Sequence, residues 1–376
     1  MRDLQAPASV PAADGRIPHG LRGRRSFGSL SRRRGGRRLC ETRARRVVRR
    51  GVHRLHPLRQ FRRRTTAPEG THLKNFLGAF GHVALDHIFT LRRLPKPNSS
   101  IEIVKRRRSF GGTAGNLTRA AARLDVKTAI ASFVGDDFPA DYRDALRKEG
   151  VDLTDLRSIR GALTPTAWIF SDPSGNQMAV IDQGPMKAAR LPILRHAVET
   201  SELVHIGTGR PTYYTRIASL AAELDRTISF DPAQEIHYVY SPRLFRTLLE
   251  RSTYFFGNAA EIAQAKRFLR VASTEGLLRF TAVVVATLGP RGSAIYSRDG
   301  KIRIPRVPPK RVVDVTGAGD AYRAGFYAGL SRGLDLRRCG ILGSSVASFV
   351  VEAPGTQTHL PTWAQALSRA RKFASF

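Results

Sequence analysis

The sequence predicts an α/β domain in which a mostly parallel central sheet is flanked by helices on both faces and a small β-sheet projects as a lid. Two observations predict it. From Leu73 onward, short apolar runs alternate with amphipathic stretches whose apolar residues recur every three or four positions, as expected of a buried parallel sheet crossed by helices. Two further segments read as strand pairs, and strand pairs that interrupt a parallel domain must lie on its edge or project from it, where they are placed to cover a site at the strand ends.

Taken in order, the core strands are expected at 76–80, 128–134, 203–206, 227–230, 254–256 and 282–287, each too short for a buried helix. Helical spacing places helices at 116–124, 142–149, 211–224 and 261–269. The lid strands fall within about 88–110 and 166–184. In the first, Ile101-Glu-Ile-Val alternates after a Pro-rich turn; in the second, Thr166-Ala-Trp-Ile-Phe and Gln177-Met-Ala-Val-Ile flank Asp172-Pro-Ser-Gly-Asn, a hairpin signal.

Charge divides the chain. The formal net charge is +33, and residues 1–70 hold 20 of the 63 basic residues against four acids, so this segment carries +16. All twenty are arginine. Such a segment, with scattered Pro and Gly and little apolar periodicity, cannot bury enough surface to offset its ordering entropy and is expected to be disordered. Three readings of it stand side by side: a start placed too early in an arginine-rich upstream frame, a nucleic-acid-binding tail, and an organelle presequence. Residues 71–376 form the folded domain. No run of about 18 uncharged apolar residues occurs, so no membrane span is expected. Cys40 and Cys339 support neither a disulfide framework nor a cysteine metal site, which suits a reducing, cytoplasmic compartment. His82, His87 and His205 share no metal-ligand spacing and read as structural or peripheral.

The chemistry concentrates in Asp314-Val-Thr-Gly-Ala-Gly-Asp320, followed by small and apolar residues at helical spacing. A glycine loop leading into a helix start gathers unpaired amides at the positive end of the helix dipole, which makes an anion site. A carboxylate there repels phosphate; its sensible role is to accept a proton from an incoming hydroxyl, and its bland alternative is a helix cap.

This segment resembles the carboxy-terminal signature of the ribokinase-like (PfkB) family of carbohydrate and nucleoside kinases. Four other landmarks of that family appear in order: Gly81-His-Val-Ala-Leu-Asp86, Gly111-Gly-Thr-Ala-Gly-Asn116, Asn258-Ala-Ala-Glu261 and Thr287-Leu-Gly289-Pro-Arg-Gly292. Within the family, Lys96-Pro-Asn-Ser-Ser-Ile, Phe230-Asp-Pro and Ala347-Ser-Phe-Val-Val-Glu-Ala-Pro-Gly-Thr-Gln-Thr look most like archaeal nucleoside kinases. The resemblance implies transfer of the γ-phosphoryl group of ATP to a nucleoside 5′-hydroxyl or a related sugar. Asp320 would be the base, and the amides of Gly317, Ala318 and Gly319 would receive the developing charge. Asp86, Gly111, Gly112 and Asn116 would bind the acceptor, and Asn258, Thr287, Gly289 and Gly292 the nucleotide. Glu261 would act on Mg²⁺ through water, and Asp314 and Thr316 with the 353–356 loop would hold a monovalent cation such as K⁺. The alternatives are a free-sugar kinase for ribose, fructose or a deoxygluconate and, from another class, a basic nucleic-acid-binding protein. The lid could also pair two chains into a homodimer. Read singly, Asp86 could be a turn residue, Asn116 a cap, and Asn258 with Glu261 an ordinary capping box.

Overall fold

The computed structural model describes residues 73–174, 177–188 and 190–376, so the expectations for the arginine-rich segment 1–70 lie outside the described residues. The strands are β1 (Asn75–Phe80), β2 (Ala84–Leu91), β3 (Ile103–Gly111), β4 (Thr128–Val134), β5 (Asp152–Ser158), β6 (Thr166–Ser171), β7 (Gln177–Asp182), β8 (Ser201–Ile206), β9 (Thr227–Phe230), β10 (Tyr254–Asn258), β11 (Val283–Thr287), β12 (Ser293–Ser297) and β13 (Gly300–Ile304). The helices are α1 (Thr113–Arg123), α2 (Ala140–Lys148), α3 (His196–Glu199), α4 (Pro211–Glu223), α5 (Pro242–Leu249), α6 (Ala259–Leu269), α7 (Ala318–Leu330), α8 (Leu336–Val350) and α9 (Trp363–Ala370).

Among the described residues, nine strands make the main sheet in the order β13-β12-β11-β10-β9-β8-β1-β4-β5. Those from β11 to β5 run parallel, and β12 and β13 close one edge as an antiparallel pair. The central parallel strands, unlike edge strand β5, are mostly apolar because both faces are covered. On β11, Val283 and Val285 belong to the layer that contains Phe326 and Leu342 of α7 and α8, whereas Val284 joins the opposite layer with Ile228 and Phe245. Full burial of such side chains contributes about 1.5–3 kcal/mol each. The chain leaves β1 for β4 on one side and returns to β8 on the other. A topological switch point therefore lies between β1 and β8, where a crevice opens beyond the carboxyl ends of the strands.

The lid is a separate four-stranded sheet in the order β3-β2-β6-β7. Its β6–β7 hairpin falls where the sequence places it. Its first strand, however, starts at Ala84 rather than near residue 88, which puts Asp86 on the lid, opposite Ser109 of β3 and Ala167 of β6. The cause is a sharp exit from β1: at Gly81 a β-carbon would sit 2.7 Å from Thr113 Oγ1, so the chain can turn there and start a new strand after His82 and Val83. Val104, Met178 and Val180 on the lid are exposed. Among the described residues, no helix is long and apolar enough to cross a membrane.

Candidate active site

The 314–320 segment forms a tight loop running into α7. Gly317 caps the helix with φ of 77°, and a β-carbon there would come within 2.8 Å of Thr356 Cβ, so only glycine fits. Ala318 donates its amide to Val315 O at 3.2 Å. Of the three amides assigned from the sequence, those of Gly317 and Gly319 keep no main-chain acceptor among the described residues. Asp320 is the third residue of the helix, not the last of the loop, and its side chain does not cap α7. Its Oδ2 accepts from Asn116 Nδ2 at 2.8 Å instead. Burial pushes its carboxyl up to about 6, opposed by the Arg323 guanidinium and by the Asn116 hydrogen bond.

Asp86 enters from the lid. It is buried, no hydrogen bond from a described residue reaches it, and burial, reinforced by Asp320 and Asp314, pushes its carboxyl up to about 7. Gly111 lies against it: a β-carbon at Gly111 would stand 2.2 Å from Asp86 Oδ2. Gly112 has φ of 84° and would carry its β-carbon 2.4 Å from His82 O. Asn116 stands behind Asp320 on α1, with its side-chain oxygen accepting from Thr356 Oγ1 at 2.7 Å and Gln357 Nε2 at 2.8 Å. Its amide is thus engaged within the protein, and it holds Asp320 rather than facing the cavity.

At α6 the capping box weighed from the sequence is formed. Asn258 Oδ1 accepts from the Ala260 and Glu261 amides, and Glu261 Oε2 accepts from the Asn258 amide at 2.7 Å. Glu261 is buried, and burial with the neighbouring Asp231 pushes its carboxyl up to about 7. Arg323, one turn beyond Asp320, forms a buried ion pair with Asp231 and feels the charges of Asp320 and Glu261. Asp314 is engaged differently from the sequence expectation. Oδ1 accepts the Thr316 amide at 3.0 Å, and Oδ2 accepts both the Gly355 amide at 2.9 Å and Arg107 Nη2 at 3.1 Å. The cation at Asp314 is a guanidinium from lid strand β3, and these contacts hold its carboxyl below the usual range.

A cavity of about 690 Å³ joins these groups along the carboxyl ends of β1, β8, β9, β10 and β11. Asp86, Gly112, Asn258, Glu261, Thr287, Gly289, Gly292, Thr316 and the 317–320 turn line it; Gly111, Asn116 and Asp314 stand behind its wall. Its two ends differ in character. Beyond β10 and β11 the wall includes Val312, Ala347 and Val351, while beyond β1, β8 and β9 it includes His82, Thr208 and Glu235 under the lid residues Ile169 and Ile181.

Residues 74–363 match the model of the pfkB family carbohydrate kinases. This chain belongs to that family. Nucleoside kinase from Methanocaldococcus jannaschii is 38% identical over 293 residues, which is 78% of this chain and 95% of that protein. The nucleoside kinase of Methanothermobacter thermautotrophicus is 39% identical over 300 residues, 77% of this chain and 94% of the relative. The crystal structure of the M. jannaschii enzyme superimposes with a TM-score of 0.74 at 35% identity, covering 80% of this chain and 99% of that one. Burkholderia thailandensis nucleoside kinase in complex with inosine gives a TM-score of 0.72 at 25% identity, covering 79% and 96%.

As a pfkB-family kinase, the protein is a phosphotransferase acting on a hydroxyl group. Several residues of its site escape motif reading. Arg323 is detectable in the sequence, because residues three apart on a helix share a face and Arg323 follows Asp320 by three. His82 differs from its expected structural or peripheral role: it lines the cavity, bonds Thr208 Oγ1 through Nδ1 at 2.7 Å, and is held down to about 4 by burial. His205 is structural as expected, buried against Tyr327. Glu235 gives no local signal, since it faces the cavity only because the turn after β9 folds toward Gly209, whose amide it accepts.

Proposed function

We propose that this kinase transfers the γ-phosphoryl group of ATP to the ribose 5′-hydroxyl of a nucleoside, with Asp320 as general base. The observation that carries the reading is the placement of a buried carboxylate, held through one oxygen by Asn116, beside open amides at the start of α7 in a cavity of about 690 Å³ that runs from the lid to β11. The acceptor half lies under the lid, where Asp86 and Gly112 would hold ribose hydroxyls. Gly111 leaves room for the Asp86 carboxylate. The nucleotide half lies over β10 and β11, with Asn258, Thr287, Gly289 and Gly292 along the donor.

In the reaction the acceptor hydroxyl gives its proton to Asp320 as its oxygen bonds to the γ-phosphorus, and the bond to the bridging oxygen breaks to release ADP. The amides of Gly317 and Gly319 receive charge on the transferred group, assisted by the helix dipole. Magnesium fits the donor end only as a hydrated ion: Glu261 and Asn258 line the cavity there, and among the described residues no group of three acidic, imidazole or thiol side chains is spaced to hold a metal directly. Glu261 and Asn258 would hold it through water, and bound there it would neutralise the phosphates. Potassium fits less well at Asp314 and Thr316, because Arg107 and two amides already occupy the Asp314 carboxylate.

The test is a set of phosphorylation rates for nucleosides and free sugars with wild type and Asp320→Asn. Nucleosides are expected to exceed ribose or fructose in kcat/KM, and the variant to lose about 10²–10⁴-fold in kcat with acceptor binding kept. Preference for free sugars would overturn the acceptor, and near-normal turnover by the variant would overturn the base.

A further inference from the structure

We propose that Gln357 and Thr356 are positioning residues of the phosphoryl transfer, holding the Asn116 amide in the one orientation that turns its NH₂ group toward Asp320. The proposal rests on reading Asp320 as the base. A carboxamide has two ends of almost the same shape and opposite polarity, so a buried asparagine beside a carboxylate needs something else to say which end faces it. Here two groups say so. Thr356 Oγ1 and Gln357 Nε2 both point to Asn116 Oδ1, at 2.7 and 2.8 Å, and Nδ2 is left for Asp320 Oδ2 at 2.8 Å.

Gln357 has the same ambiguity, and its neighbours remove it. Arg119 Nη1 donates to Gln357 Oε1 at 3.1 Å, and a guanidinium can only donate. On the other side, Gln357 Nε2 also donates to Tyr142 Oη at 2.8 Å, because the tyrosine hydrogen is directed to the carbonyl of Gly111 at 2.7 Å. Polarity therefore runs in one direction from Arg119 through Gln357 and Asn116 to the base. The Thr356 hydrogen has a second acceptor, Phe110 O at 2.9 Å, so Gln357 is the stricter of the two donors. Asn116 and Gln357 are 6% and 7% exposed, which leaves little water to compensate for a reversed amide.

Reversal would set Asn116 Oδ1 against the Asp320 carboxylate and its NH₂ group against two donors. The base would then be favoured in its protonated, inactive form, and its plane would no longer be fixed. In the observed orientation Oδ2 is tied back and Oδ1 of Asp320 is left to take the acceptor proton. The other charged or titratable groups facing Asp320 are Arg323 on α7, Asp231 after β9, Glu261 on α6, Asp86 on β2 and Tyr142 on α2. Of these, only Tyr142 touches Gln357.

The experiment is the pH dependence of kcat for wild type, Gln357→Glu, Thr356→Val, Asn116→Ala and the Asn116→Ala/Gln357→Glu double variant. Gln357→Glu keeps shape and the Arg119 contact but replaces the donor by an acceptor; the acid limb of its profile is expected about one pH unit higher, a tenfold change in proton affinity. Thr356→Val is expected to move the limb the same way by less. In the double variant the shift caused by Gln357→Glu should vanish, because its route is gone. A shift of equal size without Asn116 would mean that the new charge acts through space, and an unmoved limb in a folded Gln357→Glu protein would mean that no lock exists. Either overturns the proposal while Asp320→Asn still reports on the base independently. If Gln357→Glu does not fold, Gln357→Met removes the donor without charge and is read the same way.

Discussion

Asp86 and Asp320 are carboxylates of one cavity whose surroundings set them to different tasks. Asp320 is tied to Asn116 and sits near Arg323, so its carboxyl rises only to about 6, whereas Asp86 accepts no hydrogen bond from a described residue and, with burial, Asp320 and Asp314 outweighing Arg107, rises to about 7. The weaker shift suits a base that must be ionised near neutral pH, and turnover is expected to fall as pH drops through about 6. Gly111 offers a sharper test of the acceptor site. Since a β-carbon at this position would stand only 2.2 Å from Asp86 Oδ2, Gly111→Ala must displace that carboxylate. Steady-state kinetics are expected to show acceptor KM rising at least tenfold, with ATP KM little changed, since a displaced charged hydrogen bond costs about 1.5–3 kcal/mol. Equal changes in both would place Asp86 elsewhere than on the acceptor. At this scale the sequence made legible the loop that brings Asp320 and Gly317 to the cavity, because a glycine turn leading into a helix has a plain local pattern. It was less so for Asn116, whose engagement with Gln357 spans 241 positions and leaves no local trace.

Among the elements, those with the plainest sequence pattern were the buried ones. β4 and β9 span the residues expected from their apolar runs, because a strand covered on both faces has no polar interruption to blur it. The edges were unreadable for the same reason in reverse. β5 reads Asp-Leu-Thr-Asp-Leu-Arg-Ser, with only two apolar residues, and β13 alternates Lys301, Ile302, Arg303 and Ile304. Such strands are held by the neighbouring strand rather than by their own hydrophobicity. The lid hairpin was legible from its turn, while the start of β2 was not, because the break after β1 depends on the contact between Gly81 and Thr113. The lid also leaves Val104, Met178 and Val180 exposed, at 58, 42 and 52%.

For the whole molecule, buried acids shape the response to pH. Asp86, Glu261 and Glu235 have carboxyls raised to about 7, 7 and 8. A folded pKa above the unfolded one gives a contribution that is complete at low pH and lost as pH rises through the folded value. Between about 6.5 and 8, His82 and His205 are neutral when folded and each carries at most about half a proton when unfolded, less than the three acids release over that interval, so the acids decide the sign there. Thermal unfolding without ligands is expected to show Tm falling across that interval; a rise would contradict the placement of these carboxyls. The described cavity is lined by residues from His82 onward, and we expect a chain starting at Leu73 to phosphorylate acceptors at the full rate in the same assay. Asp86 is borne on β2, so the side chain proposed to clasp the alcohol belongs to the same sheet that covers the cavity. If the acceptor draws that shutter down, the terminal phosphate has no aligned attacker beforehand, and the enzyme is expected to spare its ATP from idle hydrolysis by solvent.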